Sequence, residues 1–70
     1  MNLTVNGRES TIVDKGSLSI SELLQELNVA DPLYVTVELN GAIMERRNFD
    51  STSVGDGDRV EFLYFMGGGR

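Results

Sequence analysis

Apolar and polar positions alternate on either side of Asn6-Gly7, over Asn2 to Val5 and again over Arg8 to Val13. Asn-Gly supplies the two positive φ angles of a type I′ turn, so the spacing predicts a hairpin with Leu3 and Val5 on one face and Ser10 and Ile12 likewise sharing one. Asp14-Lys15-Gly16 breaks the alternation, and the period then changes. Ile20, Leu23, Leu24 and Leu27 recur at the spacing of one helix face, and Ser19 with Glu22 forms a capping box in front of them. Asn28 is the predicted stop, and Pro32 bars any continuation. Alternation returns at Tyr34 to Leu39, with Val35, Val37 and Leu39 on one face, and Asn40-Gly41 turns the chain into the short apolar piece Ala42-Ile43-Met44.

Glu45 to Ser53 is polar apart from Phe49 and reads as a loop or a single helical turn anchored by that ring. Gly55-Asp56-Gly57-Asp58 is a third turn; its paired aspartates lack the remaining ligands of a calcium loop, so a solvated turn is the reading taken. Arg59 to Met66 is the most apolar strand, with Val60, Phe62 and Tyr64 on one face and Arg59, Glu61, Leu63 and Phe65 on the other. The order is hairpin, helix, strand, short strand, strand. A helix laid across one face of a small mixed sheet buries both apolar faces, with the first and last strands adjacent at the centre. That arrangement is an α+β β-grasp (ubiquitin-like) fold, with residues 1–66 as the domain and residues 67–70 as a flexible glycine tail.

Composition narrows the chemistry. At 70 residues the chain has room for one domain, and 40% apolar residues are enough for one core. A deep multi-residue catalytic cleft does not fit beside that core. Six basic against eleven acidic residues give a net charge of −5, which disfavours nucleic acid and anionic membranes as partners. The absence of cysteine and histidine removes the disulfide, the thiolate nucleophile, the commonest metal ligand and the commonest general base. The expectation is a protein that is not an enzyme and binds no cofactor or metal. Met1 to Val5 lacks the pattern of a signal peptide, and no segment approaches the ~20 apolar residues of a membrane span. Asn2-Leu3-Thr4 matches a glycosylation sequon in form only, and the chain reads as cytoplasmic.

The remaining candidate is the end, Gly67-Gly68-Gly69-Arg70. A frayed end is one reading of three glycines. A phosphate-cradling loop is another, but it requires a helix to follow, and here none can. The functional reading is a thread: four extended residues reach at most ~14 Å, and a segment without side chains passes along a channel too narrow for any other residue. Its backbone amides stay free for a partner, and its carboxyl group is delivered to that partner's active site. A carboxylate is a poor electrophile, so it must first be activated, typically as a mixed anhydride with AMP, from which a sulfur nucleophile can displace the nucleotide and leave a thiocarboxylate.

Four motifs then stand in register: Val37-Glu38-Leu39-Asn40-Gly41, Arg46 to Phe49, Gly55-Asp56-Gly57-Asp58-Arg59-Val60-Glu61, and Phe65-Met66-Gly67-Gly68. In these the whole chain resembles the sulfur carriers of thiamine biosynthesis (ThiS), within the ThiS/MoaD ubiquitin-like family. The related small subunit of molybdopterin synthase tends to have proline just before its terminal glycines; Tyr64-Phe65-Met66 here favours the thiamine branch. The resemblance implies that a ubiquitin-activating-type adenylyltransferase uses ATP to adenylate the terminal glycine. It further implies that a persulfide enzyme donates the sulfur and that thiazole synthase receives it. Family members commonly end at glycine, whereas Arg70 follows here. Either a peptidase removes Arg70 and exposes Gly69, or a longer trim leaves Gly68 as the end, or Arg70 is not native; the untrimmed chain is expected to be inactive. Leu63 and Phe65, on the strand face away from the helix, are the expected partner-docking residues beside the threading glycines Gly67, Gly68 and Gly69. Two alternatives stay open at this point: a carrier for molybdopterin or another sulfur-inserting pathway, and a β-grasp interaction module with an inert tail.

Overall fold

Two Asn-Gly turns and one helix cap set the architecture of the computed structural model, which describes residues 1–65. At the first turn Asn6 has φ 50° and Gly7 φ 81°, and at the second Asn40 has φ 52° and Gly41 φ 89°. Positive φ at both central residues is the type I′ condition, whose twist matches that of the strands it joins. The first turn links β1 (Asn2–Val5) to β2 (Arg8–Thr11). A three-residue strand β3 (Ser17–Ser19) then runs straight into the helix α1 (Ile20–Glu26). The second turn joins β4 (Thr36–Leu39) to β5 (Ala42–Met44). A single 3₁₀ turn (Arg46–Asn48), β6 (Ser53–Gly55) and β7 (Arg59–Leu63) complete the order.

The main sheet has the order β2-β1-β7-β4-β5. Strand β7 lies at its centre, parallel to β1 and antiparallel to β4. The predicted adjacency of first and last strands and the mixed sheet on one helix are therefore observed, and the fold is β-grasp. Val37 pairs with Phe62 and Leu39 with Val60 on the helix side, while Thr36–Leu63 and Glu38–Glu61 pair on the opposite side. Leu3, Ile20, Leu23, Val37, Val54 and Val60 form the centre of the core, and Phe49 is buried with them as the anchor of the 3₁₀ turn.

The helix ends are closed by side chains and backbone that the sequence specifies. Ser19 Oγ accepts from Glu22 N at 3.0 Å, and Glu22 Oε1 accepts from Ser19 N at 2.8 Å, completing the capping box. At the other end Asn28 takes φ 52°, its N–H donates to Gln25 O, and Val29 N–H donates to Leu24 O. Those two bonds form a Schellman motif with asparagine in the left-handed position. Ser19→Ala is expected to cost about 1 kcal/mol, lowering the midpoint of a circular-dichroism melt by roughly 4–8 °C. An unchanged melt would count against the cap's contribution.

Two expectations are corrected. The small second sheet, β3 against β6, is absent from the sequence-based expectation, which passes from Gly16 directly to the helix and takes Glu45 to Ser53 as a loop or a single helical turn, the latter present as the 3₁₀ turn. Its only apolar pair is Leu18 with Val54, both buried, and three-residue strands are too short to show a period. Tyr64 does not face the core with Val60 and Phe62. Strand β7 stops at Leu63, and Tyr64 is half exposed with its hydroxyl donating to Ala30 O. A phenol end finds its polar partner at the rim of the domain, which an apolar core does not offer.

Candidate functional site

The chain leaves the domain from its centre. Strand β7 is paired with β1 at Arg59 and Val60 and with β4 from Val60 to Leu63, so its last residues are held in the sheet by β4. Asn6 Oδ1 adds a further tie by accepting from Phe62 N at 2.8 Å, so the tip of the first hairpin caps the final strand. Tyr64 fixes the exit to the segment after the helix through Ala30 O. That segment is itself stapled: Arg46 donates to Pro32 O at 2.8 Å and to Val35 O at 2.7 Å, and its guanidinium lies 5.0 Å from the Phe49 ring centroid. The bidentate guanidinium and its cation–π contact hold the segment from α1 to β4 against the core. A stiff root for the last strand is the outcome.

The expected tail residues Gly67, Gly68 and Gly69, with Arg70, lie outside the described residues. Of the two expected docking residues, Phe65 is 71% exposed. Leu63 is half-buried, pairs with Thr36 on the sheet face away from the helix, and stands outside the core cluster. Sequence reasoning passed over Ile43. It is 62% exposed and sits opposite Glu38 in the β4–β5 pair, on the same face as Leu63. Alternation within Ala42-Ile43-Met44 carried that signal, since Met44 packs on the core and Ile43 must then point away.

The aspartates of the third turn serve the chain itself. Asp58 Oδ2 accepts from Gly55 N at 2.8 Å and its Oδ1 accepts from Asn40 Nδ2 at 3.1 Å, while Asp56 Oδ1 accepts from Asn2 N at 2.6 Å. They brace the turn and join it to both hairpins. Among the described residues no group of three or more Asp or Glu is placed to hold a metal. An open groove of about 620 Å³ lies on the helix side, between α1 and the 3₁₀ turn, lined by Leu24, Val29, Leu33 and Phe49 among others. Three of its polar side chains are committed within the chain: Ser21 to Asp50, and Arg46 to the two carbonyls. Nothing in it converges on a reacting atom. Among the described residues no helix is long and apolar enough to cross a membrane.

The pattern of the ThiS family matches residues 2–69. A crystal structure of a thiamine biosynthesis protein (ThiS) from Geobacter metallireducens superposes with a TM-score of 0.95 at 64% identity, covering 99% of this chain and 100% of that one. A solution structure of a thiamine biosynthesis protein from the same organism gives a TM-score of 0.80 at 63% identity, covering 100% of this chain and 90% of that one. A thiazole synthase of Paramagnetospirillum magneticum is 38% identical over 69 residues, which are 99% of this chain and 20% of that protein. The chain thus spans about a fifth of that synthase's length.

Proposed function

The chain belongs to the ThiS family, and from that membership we propose that it carries sulfur, as a C-terminal thiocarboxylate, to the thiazole moiety of thiamine. The observation that carries the reading is the extent of the family match: it runs from residue 2 to residue 69 and so takes in the glycines as well as the fold. The carrier's own part is recognition and delivery, and the bond-making groups belong to its partners. A ubiquitin-activating-type adenylyltransferase binds ATP; the carboxylate of Gly69, or of Gly68 after further trimming, attacks the α-phosphorus and pyrophosphate leaves. The terminal sulfur of an enzyme persulfide then attacks the acyl carbon, AMP departs, and a thiol cleaves the resulting S–S bond to release the thiocarboxylate. Gly67, Gly68 and Gly69 fit this role because a channel of glycine width excludes side chains and water from the acyl group. Leu63 and Phe65 are the docking residues for the adenylyltransferase.

Thiazole synthase is the proposed acceptor. The relative in Paramagnetospirillum magneticum supports this, because a segment similar to this whole chain lies there within a protein that bears that name. The protein is accordingly a carrier and not an enzyme, and ATP is consumed by its partner.

Mass spectrometry tests the proposal. After incubation with ATP, the adenylyltransferase and a persulfide donor, replacement of one oxygen by sulfur is expected to add about 16 Da to the trimmed chain. An unchanged mass, under conditions where the same enzymes load a carrier known to be their substrate, would refute sulfur carriage.

A further inference from the structure

Two hairpins in this fold end in the same labile dipeptide. Asn6-Gly7 and Asn40-Gly41 adopt the same turn, with the asparagine at φ 50° and 52°, and all four residues are exposed. A Cβ placed on either glycine would meet nothing within 4 Å, so both turns stand open to water. In Asn-Gly the glycine nitrogen is unhindered, and it can attack the carboxamide carbon of the asparagine before it. Turn type and exposure do not distinguish the two sites; their side-chain bonds do. Asn40 is held at both ends of its carboxamide, with Oδ1 accepting from Arg59 N at 2.9 Å and Nδ2 donating to Asp58 Oδ1 at 3.1 Å. Asn6 is held at one end only: Oδ1 accepts from Phe62 N at 2.8 Å, and Nδ2 has no acceptor among the described residues.

We propose that Asn6 is a modification site that deamidates through a succinimide to aspartyl and isoaspartyl forms, and that Asn40 is held against the same reaction by Asp58 and Arg59. The Gly7 nitrogen bonds to Cγ of Asn6 and gives its proton to solvent base. The Cγ–Nδ2 bond breaks, and the nitrogen leaves as ammonia. Water then opens the ring: attack at Cγ gives aspartate, and attack at the backbone carbonyl gives isoaspartate. One water is consumed, one ammonia is released, and nothing is oxidised or reduced.

Reaching the transition state requires the carboxamide to rotate out of its present bonds. At Asn6 that breaks one hydrogen bond, and at Asn40 it breaks two. The Asp58 carboxylate also opposes the negative charge that develops on the Asn40 carboxamide oxygen. The products differ in consequence. An aspartate at 6 still offers an oxygen to Phe62 N, whereas an isoaspartate adds a backbone carbon to the turn and withdraws that acceptor from β7, the strand that leads into the tail. An aspartate at 40 would set a second carboxylate against Asp58.

The test incubates the full chain at mildly alkaline pH, follows the gain of about 1 Da per site by mass, and locates it by peptide mapping, with isoaspartyl groups read by enzymatic methylation. Asn6 is expected to react at least about threefold faster than Asn40, the factor a single exposed hydrogen bond supplies. Asp58→Ala is expected to accelerate Asn40 by a similar factor and leave Asn6 unchanged. The wild-type chain in urea serves as the control for neighbouring sequence and for any variant that unfolds, because there the two sites are expected to converge. Equal rates in the folded protein, an Asn40 rate indifferent to Asp58→Ala in a folded variant, or a gap that persists in urea would each overturn the proposal.

Discussion

Phe65→Asp is expected to leave the domain folded and to weaken the proposed complex with an adenylyltransferase by about 30-fold or more, the effect of losing an aromatic anchor worth ~2 kcal/mol. The expectation rests on position. Phe65 follows the central strand by two residues, is 71% exposed, and stands immediately before Met66 and the glycines. An exposed aromatic there gives up little core packing on substitution, yet it lies where a partner must grip if it is to receive the tail. Leu63→Asp is expected to act in the same direction with the fold retained, since Leu63 is half-buried opposite Thr36 and lies outside the core cluster. Titration calorimetry for binding and far-UV circular dichroism for the fold separate the two contributions. Unchanged affinity for Phe65→Asp would remove this end of β7 from the interface, and loss of the fold in Leu63→Asp would return that side chain to the core.

Leu23→Ala is expected to cost about 3–5 kcal/mol, against a total stability of ~4–10 kcal/mol for a chain of this length. Leu23 is fully buried in the middle of α1, and its neighbours in the core, Leu3, Val37, Val54 and Val60, come from four different strands. A cavity there cannot be closed by one element moving, because the helix is tied at both ends by the capping box and the Schellman motif. Urea unfolding should show a largely unfolded population well below the wild-type midpoint. Leu33→Ala, at a position 76% exposed, is expected to change stability by no more than about 0.5 kcal/mol. A cost below about 1 kcal/mol for Leu23→Ala would mean that the core relaxes far more freely than close packing allows.

The elements most legible in the sequence were those with a local physical cause. Asn6-Gly7 and Asn40-Gly41 announce their turns because few other residue pairs accept two consecutive positive φ angles. Ser19 and Glu22 announce the helix start because each satisfies an amide of the other's backbone, and both bonds are present. The stripe Ile20, Leu23 and Leu24 announces the buried face. In the candidate site, alternation along β7 separates Val60 from Glu61 and places Leu63 with Glu61, opposite Thr36 and Glu38. The resemblance in the glycine tail and the Asn-Gly and Asp-Gly-Asp motifs pointed to the ThiS family that the comparisons show.

What escaped the sequence reading depends on residues far apart in the chain. Leu18 and Val54 pair across a two-stranded sheet whose members are each three residues long, too short for any period to register. Tyr64 turns outward because Ala30 O is there to accept its hydroxyl, a partner 34 positions earlier. Nothing in the polar stretch Glu45 to Ser53 marks Arg46 as a staple, yet it holds two carbonyls and covers Phe49. Two acidic-turn contacts, Asp56 to Asn2 and Asp58 to Asn40, likewise join segments that only the fold brings together.

By itself, then, the chain's order of residues determined its turns, its helix and the faces those elements bury, because each follows from torsional preference and amphipathic spacing within a few residues. The tertiary structure alone decided the small sheet, the outward Tyr64, the Arg46 staple and the unequal bonding of two otherwise identical Asn-Gly turns. Those features depend on which donors and acceptors meet across the chain, and a hydrogen bond between distant residues leaves no periodic trace in the sequence that makes it.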